Sequence, residues 1–203
     1  MYALGALKNP AFKLLGEIKL DEKYFWALKL LGSSMGRFVK LCCPRVYRIT
    51  DIETNMDYGY PVEETGAIMK PPMVDNSYDS MSQHEMCIID NGDFIFLYVG
   101  SSISSNLIYD IFGYEDWNTI HYHGISTLET QMDTDAYQRI INITEQLRSE
   151  NDGTYQPIQV VLDGSMRQKQ LKLYAMIEDT MNKNREFTYS DFMAHLHTLI
   201  RMQ

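Results

Sequence analysis

Residues 86–99, MCIIDNGDFIFLYV, constrain this chain more than any other stretch. Two apolar runs, Met86 to Ile89 and Phe94 to Val99, flank Asp90-Asn91-Gly92-Asp93. Asn-Gly accepts the positive φ angles of a tight turn, so the pattern predicts a β-hairpin with buried apolar strands. Asp90 and Asp93 also raise the question of a cation site. An EF-hand loop needs oxygen ligands at positions 1, 3, 5, 7, 9 and 12 with Gly at position 6. Here Gly92 comes two residues after Asp90 and apolar residues follow, so the ligand ladder is missing. The carboxylates read as the polar tip of a hairpin.

The flanking sequence supplies further elements. RVYRI, residues 45–49, alternates polar and apolar residues as a strand does. Residues 51–84 read as a long polar loop with an extended kink at Pro71-Pro72. After the hairpin, Ser104 is an N-cap, Leu107, Ile108, Ile111 and Phe112 share a helix face, and Gly113 is the stop. Residues 114–132 read as a second loop. A helix follows from Asp133/Thr134, with Ala136, Ile140, Ile143 and Leu147 as its apolar stripe. PIQVVL, residues 157–162, is a buried strand, and Asp163-Gly164 turns the chain into a helix over 166–173. AMIED, 175–179, reads as a strand and 182–186 as loop. TYSDFMAHLHTLI is a terminal helix with Phe192, Leu196 and Leu199 or Ile200 inward. The order predicts an α+β or α/β domain with a mixed sheet and helices packed on it.

Charge divides the chain unevenly. Residues 1–43 hold seven Lys/Arg against three acids, +4, and the remainder holds 11 against 24, −13, within a net charge of −9. The acidic part should repel nucleic acid and anionic lipid. DEKYFWALKLL, 21–31, and MGRFVKLCC, 35–43, read as helices ended by Pro44, but 43 residues cannot build an independent core. Their apolar faces imply a larger helical domain.

The candidate chemistry is sparse. The three cysteines are an adjacent pair, Cys42-Cys43, and a lone Cys87, which fits a reducing, cytosolic setting better than a disulfide framework. His121 and His123 fall in the second loop; His195 and His197 fall on a helix, where i and i+2 lie about 200° apart and cannot chelate. Adjacent strand residues Glu178 and Asp179 would face opposite ways. No nucleophile elbow, phosphate loop or dinucleotide glycine string is present. The residues therefore predict no catalytic and no metal site, and Asn142-Ile143-Thr144 reads as helix rather than a glycosylation site. Tyrosines are abundant, and Tyr58, Tyr60 and Tyr78 in the long loop are the expected contacts for a protein partner.

Taken in order, YALGALKNPAF, DEKYFWALKLLGSSM, CPRVYRITD, CIIDNGDFIFLYVG, LIYDIFG, IEDT and YSDFMAHLHTLI resemble the C-terminal part of the cargo-adaptor subunit of the COPII vesicle coat. The resemblance covers nearly the whole chain. Its signature positions are Pro44, Arg45, Asp90, Gly92, Gly100, Phe112, Gly113, Glu178, Asp179, Phe192, His195 and His197. It implies the end of an all-helical domain over 1–43 and a gelsolin-like α+β domain over 44–203. It also implies a fragment of a non-enzymatic, cytoplasmic coat component, peripheral on the endoplasmic reticulum membrane and its transport vesicles. The implied partners are the GTPase-activating coat subunit and export signals on membrane cargo, with no nucleic acid and only indirect membrane association. No cofactor is implied for this chain, since the family's zinc lies in upstream domains. Two alternatives stay open: a calcium-regulated actin binder of the gelsolin class, and the sister GTPase-activating subunit. Against the first, a Gly-Asp pair should precede the hairpin and a helix Glu should face it. His84-Glu85 and the apolar Leu107 and Ile108 stand there.

Overall fold

The predicted hairpin forms. Strand β3 (Met86–Asp90) pairs antiparallel with β4 (Ile95–Val99), Met86 opposite Val99 and Asp90 opposite Ile95. The computed structural model describes residues 5–7, 9–13, 18–55, 57–128, 132–151, 155–175 and 189–201. Every residue of β3 is buried, because side chains that alternate across the strand enter two different cores. Met86 and Ile88 face one core, Cys87 and Ile89 the other.

Strand β1 (Arg45–Arg48) pairs antiparallel with β3 on one side and with β2 (Met73–Val74) on the other. Strand β5 (Ile158–Leu162) runs parallel to β4 and completes a mixed sheet of order β2-β1-β3-β4-β5. Over the larger core lie helices α3 (Ser105–Phe112), α4 (Trp117–His123) and α5 (Asp135–Ser149). Helix α6 (Met166–Ala175) lies on the opposite face, where Leu171 meets Cys87, Tyr98 and Val161. Before the sheet come α1 (Leu20–Leu31) and α2 (Met35–Cys42); after it comes α7 (Tyr189–Arg201). The fold is α+β with the expected mixed sheet between helices. Among the described residues no helix is long and apolar enough to cross a membrane.

Local signals explain the boundaries. Ser104 Oγ accepts the Leu107 amide at 3.2 Å to start α3, and Gly113, at φ +73°, ends it. Thr134 caps α5, whose stripe Ala136, Ile140, Ile143 and Leu147 enters the core. Gly100 has a different reason: a Cβ there would meet the Gln83 carbonyl oxygen at 2.3 Å.

The structure departs from the sequence reading in several places. Residues 114–132 contain α4, which places His121 and His123 on a helix rather than a loop. Its signals are short-range: Asp116 caps the Thr119 amide at 2.8 Å, and Gly124 at φ +61° stops it after two turns. The 51–84 stretch is not simply loop, since it holds β2, a bridge between Pro61 and Ile68, and a 3₁₀ turn at Asp79–Met81. On α7, Phe192 and Leu196 are half-buried, but Leu199 and Ile200 are 47% and 69% exposed, so that part of the expected inward face points to solvent. On α1, Leu30 with half-buried Trp26 makes the packed face, while Phe25, Leu28 and Leu31 are exposed and left without cover by this chain's described residues. The expected strand 175–179, with Glu178 and Asp179, and the loop 182–186 fall at or beyond the edge of the described residues.

Arg139 holds the long segment in place. Its side chain is almost fully buried on α5. Nη1 donates to the Ile52 carbonyl at 2.6 Å, Nε to the Tyr58 carbonyl at 2.5 Å, and Nη2 to the Asn55 carbonyl. The same segment packs so closely that a Cβ on Gly59 would meet Arg139 Cβ at 2.5 Å. Asn142, the residue of the sequon, donates to the Gly59 carbonyl at 3.0 Å. Replacing Arg139 by Met would leave three carbonyls without their charged donor, and such groups cost about 1–3 kcal/mol each when left unsatisfied. Urea unfolding of Arg139→Met should show a loss of about 3 kcal/mol or more; a loss below about 1 kcal/mol would contradict this role.

Candidate functional site

The hairpin tip is not a free polar turn. Gly92, at φ +86°, makes the bend. Asn91 Oδ1 accepts the amides of Asp93 and Phe94 at 3.0 and 2.8 Å, and Asp90 Oδ1 accepts the Gly92 amide at 2.9 Å. These side-chain-to-backbone bonds fix the turn. They also aim both carboxylates toward α1 and α2.

The two helices supply the counter-charges. Ser34 Oγ caps α2 at the Arg37 amide, and Arg37 and Lys40, three residues apart, then share a face. Lys40 Nζ lies 2.6 Å from Asp90 Oδ2; their side chains are 4% and 0% exposed. Arg37 Nη2 reaches Asp93 Oδ1 at 2.6 Å, and Lys29 of α1 pairs with Asp93 Oδ2. Lys29 Nζ is also held over the rings of Phe25 and Trp26 at 5.1 and 5.0 Å. Asn151, just past α5, accepts from Lys40 at 3.2 Å and donates to the Gly92 carbonyl at 3.2 Å. Gln156 donates to Asp90 Oδ1 at 2.8 Å. Helix α2 approaches so closely that a Cβ on Gly92 would sit 3.2 Å from Arg37 Cγ and Lys40 Cβ. The glycine thus serves both the turn and the docking.

The other signature positions lie apart from this cluster. Pro44 is buried between α2 and β1, and Arg45 starts β1 opposite Asp90, with Glu150 at 3.9 Å. Phe112 is in the main core. His195 and His197 are exposed on α7, and Phe192 is half-buried there. Of the three tyrosines expected to contact partners, Tyr60 alone is exposed, at 38%. Its ring lies 5.1 Å from the Arg139 guanidinium and its hydroxyl donates to Asp135, which raises the phenol above its ordinary range. Tyr58 is half-buried with its carbonyl on Arg139, and Tyr78 is half-buried against the second core near Lys172. The Tyr78 ring is turned to internal packing, which sequence placement in a loop does not reveal.

Burial pushes the Cys87 thiol up to about 12, so it stays protonated and unreactive at neutral pH. Glu85 accepts from Thr50 at 2.6 Å and lies 3.1 Å from Arg48 Nε, which ties it to β1. Leu107 and Ile108 are buried in the core. Among the described residues no group of three or more His, Cys, Asp or Glu is placed to hold a metal ion. Sequence reasoning found Asp90, Asp93 and Gly92 but missed Lys29, Arg37, Lys40, Asn151, Gln156 and Arg139. A signal existed for two of them: Lys40 is the lone charge in FVKLCC, and Arg139 lies within the apolar stripe of α5.

Comparison with known proteins agrees with this architecture. The gelsolin repeat family model matches residues 67–151. The protein transport protein SEC24 of Yarrowia lipolytica is 27% identical over 198 residues, covering 94% of this chain and 20% of that protein. SEC24 of Saccharomyces cerevisiae is 28% identical over 165 residues, covering 78% and 17%, and mouse Sec24A is 22% identical, covering 97% and 17%. The crystal structure of the human COPII-coat protein Sec24c superposes with a TM-score of 0.75 at 22% identity, over 99% of this chain and 24% of that one. The resemblance carried by the motifs is therefore shown in both sequence and fold. The chain spans about a fifth of the length of the relatives it matches.

The buried pair makes a sharp test. Lys40→Met should cost about 3–5 kcal/mol, because it strands the Asp90 carboxylate away from water. Adding Asp90→Asn should bring the total at least about 1 kcal/mol below the sum of the two single losses in urea unfolding. Simple additivity would contradict the pairing.

Proposed function

We propose that this chain is the C-terminal helical and gelsolin-like part of a COPII cargo-selecting subunit, acting in protein export from the endoplasmic reticulum to the Golgi. The observation that carries this is the SEC24 likeness over 94% of the chain, joined to the shared fold. On this reading the protein works as a non-enzymatic coat component. The whole subunit pairs with the GTPase-activating coat subunit, captures export signals and sits peripherally on the membrane from the cytoplasmic side. Residues 1–43 are the end of an all-helical domain and 44–203 the gelsolin-like domain. The exposed apolar row Leu20, Tyr24, Leu28 and Leu31 on α1 supports that division, since it is spaced as a helix face that another helix covers.

A calcium-regulated actin binder is not favoured. Glu85, beside the place where a calcium ligand pair would stand, is bonded to Thr50 and Arg48, and the facing Leu107 and Ile108 are core residues. The sister coat subunit is not favoured because the relatives quoted above are SEC24 proteins.

The test is a chimera of Saccharomyces cerevisiae SEC24 in which this chain replaces the matching C-terminal region. We expect it to co-purify with the GTPase-activating subunit and to support vesicle budding, and we expect no calcium-dependent co-sedimentation of the chain with actin filaments. A well-expressed chimera that fails to bind the partner subunit, or calcium-dependent actin binding, would overturn the proposal.

A further inference from the structure

A groove of about 420 Å³ opens beside the hairpin tip, between α1, the outer face of β4 and α6. Its walls are aromatic. Phe25 and Trp26 stand edge to face on one side at 6.0 Å, and Phe94 and Phe96 lie 5.8 Å apart on the other. Leu41 and Leu171 form apolar floor. Concave, aromatic-lined sites of this kind bind large apolar groups, and a few placed polar groups set their specificity.

The rim carries those polar groups, and they are cationic. Lys29 and Arg167 line the opening. Asp93, the acid among the lining residues, is shared by Lys29 and by Arg37 behind it, so the lining itself carries two cations, Lys29 and Arg167, against one carboxylate. Arg167 Nη1 donates to the Ser126 carbonyl at 3.0 Å and has no carboxylate partner among the described residues. In a chain of net charge −9 this is a local reversal of sign. Lys29 is already held by two rings and a carboxylate, so little ordering remains to be done when an anion arrives.

We propose that this groove docks an extended peptide segment bearing a large apolar side chain next to a carboxylate. The apolar residue enters between the aromatic pairs, and the carboxylate meets Arg167 and Lys29 in charge-assisted hydrogen bonds. The apolar surface is a single walled pocket rather than a plane, which suits one side chain and not a lipid bilayer. The inference stands on the groove alone and does not depend on the coat role.

The test titrates the 203-residue chain with two synthetic peptides, acetyl-Glu-Leu-Phe-Glu-amide and its neutral counterpart acetyl-Gln-Leu-Phe-Gln-amide, followed by calorimetry and by Trp fluorescence. Saturable binding of the acidic peptide, at least about tenfold tighter than the neutral one, is expected, since hydrogen bonds to ionised groups are the stronger ones. Arg167→Glu should remove that preference while the circular dichroism spectrum stays unchanged, because Arg167 is exposed. No binding of either peptide would overturn the proposal. So would equal binding of both, an Arg167→Glu protein that keeps the preference, or binding to phosphatidylserine vesicles without binding to the acidic peptide.

Discussion

Asp90 is buried without remainder at the tip of the central hairpin, and Lys40 comes from a different part of the chain to neutralise it. Much of the architecture follows from that pair. A carboxylate in that position is tolerable only with its counter-ion and hydrogen bonds in place. The Gly92 amide, Gln156 and Lys40 supply them, drawing in the turn, the lead into β5 and helix α2. Asn151 closes the set by bonding both Lys40 and the Gly92 carbonyl, which brings in the end of α5. Asp93, nearer the surface, adds Lys29 and Arg37. The half-buried cations of this outer cluster are partly screened by water and salt, so the inner pair sets the geometry.

The opposite charges of the two parts of the chain thereby become an interface. The +4 of residues 1–43 meets the acidic remainder at the two carboxylates that the turn itself presents. Helices α1 and α2 bury little apolar surface of their own: Leu30, Leu41 and Cys42 make a small cluster, whereas Leu28 and Leu31 stay in solvent. Ion pairs and the close contact over Gly92 are what join them to the sheet. This arrangement serves a proposed coat part, which must present one fixed surface to its neighbours.

Much of the fold was legible because its signals are local. The two strands and the Asn-Gly turn, the Ser104 cap and Gly113 stop, and the stripe on α5 each lie within a window of fifteen residues or fewer. Helix α4 was not legible, since seven residues with one buried side chain, Ile120, carry no periodicity. Strand β2 has two residues and forms because β1 offers an open edge. The cluster at the tip was half legible. Asp90 and Asp93 stand out in an apolar setting, but Lys40 and Asn151 are 111 residues apart in sequence and nothing local announces their meeting. Apolar spacing also overstated burial on α7, because it reports which residues share a face and not what the face meets.

The central claim is that the buried pair at the hairpin tip makes α2 and the sheet one cooperative unit. Native-state hydrogen exchange of the backbone amides tests it most directly. The account predicts that the slowest amides of α2, Met35–Cys42, open with a free energy within about 1 kcal/mol of those in β3 and β4. Exchange of α2 through a separate opening, several kcal/mol easier than that of the hairpin, would contradict it.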